Sequence, residues 1–122
     1  MQSPAVVILQ SDWRVAQSMV DSFSDSFELV QSVHSLDEVR SGLTEHNWAV
    51  LIMDLEAVAL RDVQDFSHQF PDVKIICNHR LADDEMWTAA LEAGAVDFCN
   101  SSDTTSILRA AAISTLSTCS TH

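Results

Sequence analysis

Apolar residues gather along this chain in short, evenly spaced runs at positions 5–9, 27–33, 48–53, 73–77 and 96–99. Three of these runs are almost unbroken Val, Ile and Leu, the pattern of strands covered on both faces. Between them the apolar positions switch to helical spacing. Val15, Met19, Val20 and Phe23 share one face of a helix expected from about Trp13 to Phe23. The next helix opens at Ser35, where Ser-Leu-Asp-Glu has the form of a capping box, and turns Leu36, Val39 and Leu43 inward. A third, from Leu60 to Phe70, stops before Pro71 because proline pushes its predecessor out of the helical region. A fourth, from Asp83 to Ala93, starts with acids that suit a helix N-terminus and ends at Gly94. The fifth is expected from Asp103 to Leu116, so residues 1–116 read as one domain. Residues 117–122 read as a polar tail or the start of a linker.

Strict alternation of strand and helix implies an α/β fold with a mostly parallel sheet between two helical layers. Right-handed crossovers leave few arrangements, and the expectation is a flavodoxin-like three-layer sandwich with strand order 2-1-3-4-5. In that order functional groups collect at the carboxyl ends of strands one, three and four. A length of 122 residues fits one domain, and a hydrophobic share of 47% supplies its core.

Charge and cysteine usage narrow the possible partners. Six basic residues face eighteen acidic ones, for a net charge of -12. The basic residues Arg14, Arg40, Arg61, Lys74, Arg80 and Arg109 are scattered singly, so no stripe exists to neutralise nucleic-acid phosphates or an anionic membrane. Cys77, Cys99 and Cys119 have no metal-site spacing. With no basic leader segment and no apolar stretch of membrane length, a reduced, cytoplasmic protein is expected. The first loop, Gln-Ser-Asp-Trp-Arg, lacks the glycine that would cradle a cofactor phosphate. No nucleophile–base–orienter set is readable, so enzymatic activity and a bound cofactor are not expected.

The segment Pro-Asp-Val-Lys-Ile-Ile-Cys at 71–77, followed by Ala-Leu-Glu-Ala-Gly-Ala-Val-Asp-Phe at 90–98, resembles the second half of response-regulator (CheY-like) receiver domains. Val6 to Trp13 and Leu51 to Glu56 match the ends of that family's first and third strands, so the resemblance covers nearly the whole chain. It implies that Asp54 stands at the phosphoacceptor position, where a carboxylate attacks a phosphoryl group while magnesium offsets the charge. It also implies departures. The metal-binding acids fall on Gln10 and Ser11, with Asp12 one place further along. The Thr/Ser position falls on His79, or on Asn78 if the register shifts by one. The aromatic switch falls on Phe98, the lysine on Ser101 and the following proline on Ser102. The loop after Asp54 is short and lacks the family's Pro and Gly.

The reading that follows is a degenerate, pseudo-receiver signalling domain of the two-component type that works by protein–protein contact without phosphorylation. Its partner would be a protein or effector domain, or a second copy packed through the segments from Ala89 to Val96 and from Thr104 to Ser114. The alternative is a working receiver in a phosphorelay, phosphorylated on Asp54. Only then would magnesium be needed, weakly held by Asp12 and Asp54. Among individual residues, His79 reads either as a pH-sensitive neighbour of Asp54 or as an exposed loop histidine. Phe98 reads as a fixed core residue, Cys77 and Cys99 as structural thiols on neighbouring strands, and Trp13 and Trp87 as candidate anchors for a partner.

Overall fold

The computed structural model describes residues 5–27, 29–45 and 50–120, with the side chains of residues 45 and 113–120 outside that description. The apolar runs form β1 (Ala5–Leu9), β2 (Leu29–Val33), β3 (Val50–Asp54), β4 (Lys74–His79) and β5 (Asp97–Asn100). Alternating with them are α1 (Trp13–Phe23), α2 (Leu36–Glu45), α3 (Leu60–Gln69), α4 (Asp84–Ala93) and α5 (Thr104–Ser120). The sheet is parallel throughout and its order is β2-β1-β3-β4-β5, as expected from the alternation. Residue 28 of the expected second strand, residues 48–49 of the third and residues 1–4 and 121–122 lie outside the described residues.

The unbroken apolar strands are explained by two cores, one on each face of the sheet. Val7, Leu9, Leu51, Met53, Ile75 and Cys77 pack with Val39, Val63, Phe66 and Ala90 from α2, α3 and α4. Their alternates Val6, Ile8, Val50, Ile52 and Ile76 pack with Met19, Phe23, Ile107 and Ala111 from α1 and α5. Strand alternation therefore puts Cys77 in one core and Cys99 against the other. Both are free thiols. Burial pushes the Cys77 thiol up to about 12 and Cys99 up to about 11, in the latter case with Asp97 and Asp103 adding repulsion.

Helix ends follow the local chemistry. Asp12 caps α1 by accepting the Arg14 N–H at 2.8 Å, and Asp83 caps α4 by accepting the Met86 N–H at 2.8 Å. At α2 the Glu38 N–H donates to the Ser35 hydroxyl at 3.2 Å. Glu38 itself reaches back to the N–H of His34 at 2.9 Å, one residue earlier than a standard capping box. Asp103 accepts the Ser106 hydroxyl (2.7 Å) and N–H (3.1 Å) at the start of α5. Those hydrogen bonds hold its carboxyl below the usual carboxylate range. Gly94 ends α4 at φ 121°, its N–H directed to the carbonyls of Ala90 and Leu91. Most boundaries fall within two residues of the expected ones, and two elements run on beyond their apolar pattern. β4 runs on past Cys77 to His79, and α5 continues past Leu116 to Ser120. Backbone pairing with β3 and β5 carries β4 through two residues that break the apolar pattern.

Candidate functional site

The carboxyl ends of β1, β3, β4 and β5 bring the site together. Asp54 is the last residue of β3 and is 2% exposed. One of its carboxylate oxygens, Oδ2, accepts both the N–H of Ser11 at 2.9 Å and the Ser11 hydroxyl at 2.6 Å. Its other oxygen, Oδ1, accepts the N–H of Glu56 at 2.9 Å. The charge of Asp54 is thus met by three donors from the loops after β1 and β3, with no cation against it among those contacts.

Beside it stands Asn78, whose Cα pairs with that of Asp54 in the β3–β4 register. Asn78 is fully buried and exchanges a reciprocal pair of amide hydrogen bonds with Gln10, both 2.9 Å. Its remaining N–H donates to the Ser101 hydroxyl at 2.8 Å. Gln10, Asn78 and Ser101 thereby tie the ends of β1, β4 and β5 through uncharged groups alone. All are buried, and no buried side-chain polar atom among the described residues lacks a partner.

Above this floor lies a cavity of about 370 Å³, bordered by Ser11, Asp12, Asp54, Glu56, Arg80 and Ser101. Arg80 and Glu56 close one side of it, Nε to Oε1 at 2.8 Å. The Asn100 side chain donates to the Arg80 carbonyl at 3.1 Å and fixes the loop after β4.

Of the residues singled out in the sequence, Gln10, Ser11, Asp12, Asp54 and Ser101 all border this cavity. His79 does not. It follows Asn78, so strand alternation turns it from the Asp54 side, and its Nδ1 accepts the N–H of Leu81 at 2.9 Å in a local turn. The residue paired with Asp54 is Asn78, continuing the register that pairs Leu51, Ile52 and Met53 with Ile75, Ile76 and Cys77. Phe98 is buried in the core with Cys77 and Ala90. Arg80 carried no motif, and only the fold puts its charge at the cavity.

These residues do not fit a magnesium ion. Hard divalent cations need several charged or carbonyl oxygens, and Gln10 and Ser11 supply no charge. Both Asp54 oxygens are already engaged, and Asp12 is used in capping α1. Among the described residues no three His, Cys, Asp or Glu side chains converge to hold a metal.

No family model matches this chain, and no curated protein does. Solved structures do match it. The receiver domain of the Francisella response regulator 1452 superposes with a TM-score of 0.82 at 16% identity, covering 94% of this chain and 98% of that one. The fold is that of a response-regulator receiver domain. The receiver domain of a Bacteroides fragilis response regulator gives a TM-score of 0.83 at 18% identity, over 93% of this chain and 97% of that one. The BeF3-activated receiver domain of DrrB, a Thermotoga maritima protein, gives 0.77 at 14%, over 93% and 98%. At such identities the shared property is the receiver fold, with strand order and helix placement preserved while side chains differ. Within the described residues, no helix is long and apolar enough to cross a membrane.

Proposed function

We propose that this chain is a signalling domain of the two-component type that works without phosphorylation, by contact with a protein partner. The observation that carries this reading is the hydrogen-bonded state of Asp54. A phosphoacceptor needs a carboxylate oxygen free to attack and positive charge to offset the donor. Here Ser11 supplies two donors to Oδ2, the Glu56 N–H takes Oδ1, the adjoining groups Gln10, Asn78 and Ser101 are neutral, and the charge of Arg80 at the cavity is met by Glu56. The same reading makes the domain non-enzymatic, cytoplasmic and free of a resident cofactor, and the net charge of -12 disfavours nucleic acid as its partner.

The proposed contact surface is the face of α4, β5 and α5. Trp87 and Val96 stand 47% and 45% exposed on it, and Asp97, Asp103 and Arg109 border a shallow depression of about 410 Å³. Much of the small apolar surface from Ala89 to Val96 and from Thr104 to Ala112 is spent inside the domain. Ala90, Ala95, Ile107, Ala110 and Ala111 are all buried. A second copy, or another protein, would meet the remaining exposed apolar side chains and these charges. Sedimentation across a concentration series tests self-association: a dimer weakened by Val96→Asp supports the homotypic form, and a monomer throughout leaves only a different protein as partner.

The rival reading, phosphorylation of Asp54 in a phosphorelay, is favoured by one observation. Asp54 ends its strand beside an open cavity large enough for a phosphoryl group. NMR spectra recorded with and without beryllofluoride separate the two readings. Unchanged amide signals at Ser11, Glu56 and Ser101 are expected, and saturable shifts there would favour the rival.

A further inference from the structure

A second cavity, of about 350 Å³, opens on the β2 side of β1, between α1 and the ends of β1 and β2. It shares Gln10, Ser11 and Trp13 with the Asp54 cavity, which lies on the β3 side. We propose that this second cavity binds a small, uncharged, planar nitrogen heterocycle, of the nucleobase or nicotinamide type, stacked on Trp13. This goes beyond the signalling role argued above and holds whether or not Asp54 is phosphorylated.

The lining sets the ligand class. Among the described residues no Asp, Glu, Lys or Arg borders the cavity, whose polar groups are Gln10, Ser11, Gln17, Ser32 and His34. An anion is disfavoured, because Asp12, Asp54 and Glu56 stand against the single Arg80 in the neighbouring cavity. Trp13 is 71% exposed at the junction of the two cavities, with the Arg14 guanidinium 5.7 Å from its ring centroid. An indole left in water at the mouth of a cavity offers a stacking surface for a flat ring.

The hydrogen-bonding capacity is mixed, as a heterocycle edge requires. Gln10 is held by its reciprocal pair with Asn78, which uses one Nε2 hydrogen and leaves the other to donate. Gln17 gives an Nε2 hydrogen to Asp21 at 3.0 Å and keeps its carbonyl oxygen as an acceptor. Ser32 adds a hydroxyl from the exposed edge strand. The volume sits at the lower end of ligand cavities, roughly 300–1,000 Å³, and suits one or two fused rings. Occupancy would be felt at once by the Asp54 site, since Ser11 holds Asp54 and Gln10 holds Asn78.

The test is an NMR titration of the full chain with adenine, cytosine and nicotinamide at millimolar concentrations. Saturable shifts at Ser11, Trp13, Gln17 and Ser32 are expected with at least one of them. Trp13→Ala should weaken that binding by about tenfold or more, the scale of one lost stacking contact. Ser32→Leu, which fills the cavity from β2 and leaves Trp13 in place, should give the same loss. Binding that persists in Asp54→Asn supports the assignment and separates it from the phosphorylation question. Loss in Asp54→Asn as complete as in Trp13→Ala would move the probe to the other cavity and overturn it. So would the absence of saturable shifts with all three probes, equal shifts with glucose, or tighter binding of adenosine monophosphate than of adenine.

Discussion

Replacing Asn78 with alanine removes the centre of the neutral network and leaves its partners stranded. The substitution deletes three hydrogen bonds, two with Gln10 and one with Ser101. At a net value of about 1 kcal/mol for each bond in a folded protein, the loss comes to about 3 kcal/mol. Gln10 and Ser101 are 8% and 4% exposed, so their freed groups have little access to water unless it enters from the adjoining cavity. That entry keeps the cost near this figure instead of the larger penalty for fully unsatisfied groups. For a domain of this size the melting temperature should fall by roughly 12 °C. Urea unfolding followed by circular dichroism measures the loss directly. Gln10→Ala removes two of the same bonds and should cost about 2 kcal/mol. The double variant should fall short of the sum of the single losses by about 1 kcal/mol or more, because the two residues share their bonds. An Asn78→Ala cost below about 1 kcal/mol, or strict additivity with Gln10→Ala, would refute the network as a stabilising unit.

Gly94→Ala should cost about 2–4 kcal/mol in the same assay, combining the left-handed backbone with a clash. At φ 121° an added Cβ meets the Ser67 hydroxyl and stands 2.6 Å from the Ser67 Cβ, so Ser67→Ala should not rescue it. Arg80→Ala should change stability by less than about 1 kcal/mol, since its side chain is 77% exposed and a solvated ion pair contributes little. A larger loss on thermal unfolding would mean that the Arg80–Glu56 pair closes the cavity more firmly than its exposure allows. In a Cys119→Ser background, native protein at pH 8 should react slowly with a thiolate-selective reagent and rapidly once unfolded. The reason is that folding raises Cys77 to about 12 and Cys99 to about 11 from an ordinary 9.0. The sign of the linkage follows: both thiols keep their protons when folded, so their contribution is complete below pH 9 and is lost as pH rises toward 11–12. Unfolding midpoints that stay constant from pH 9 to 11 would contradict it.

The fold was legible because two simple periodicities agreed with the punctuation between them. The unbroken Val, Ile and Leu of β1 and β3 announced strands covered twice, and the two cores on either face of the sheet bear this out. Asp83 and Gly94 marked helix ends through chemistry local to a few residues. What failed was whatever depended on a partner distant in sequence. β4 keeps Asn78 and His79 in the sheet because β3 and β5 supply their hydrogen bonds, and no apolar signal records that. The residue paired with Asp54 is accordingly Asn78, with His79 one place beyond it. The Gln10–Asn78 pair joins residues 68 apart, and amides carry no pattern that reveals such a partner. Asp54 itself was legible as a strand-end carboxylate, but its engagement by Ser11 and Glu56 was not. The apolar segments of α4 and α5 looked available for a partner because sequence does not say which of their faces the domain already uses.

Intact-mass analysis after incubation with acetyl phosphate, with and without magnesium, tests the central claim most directly. With both Asp54 oxygens engaged and neutral Gln10 and Ser11 after β1, the account predicts an unmodified mass under both conditions. A magnesium-dependent gain of one phosphoryl group, absent in Asp54→Asn, would contradict it and make this a working phosphoacceptor despite Gln10, Ser11 and Ser101.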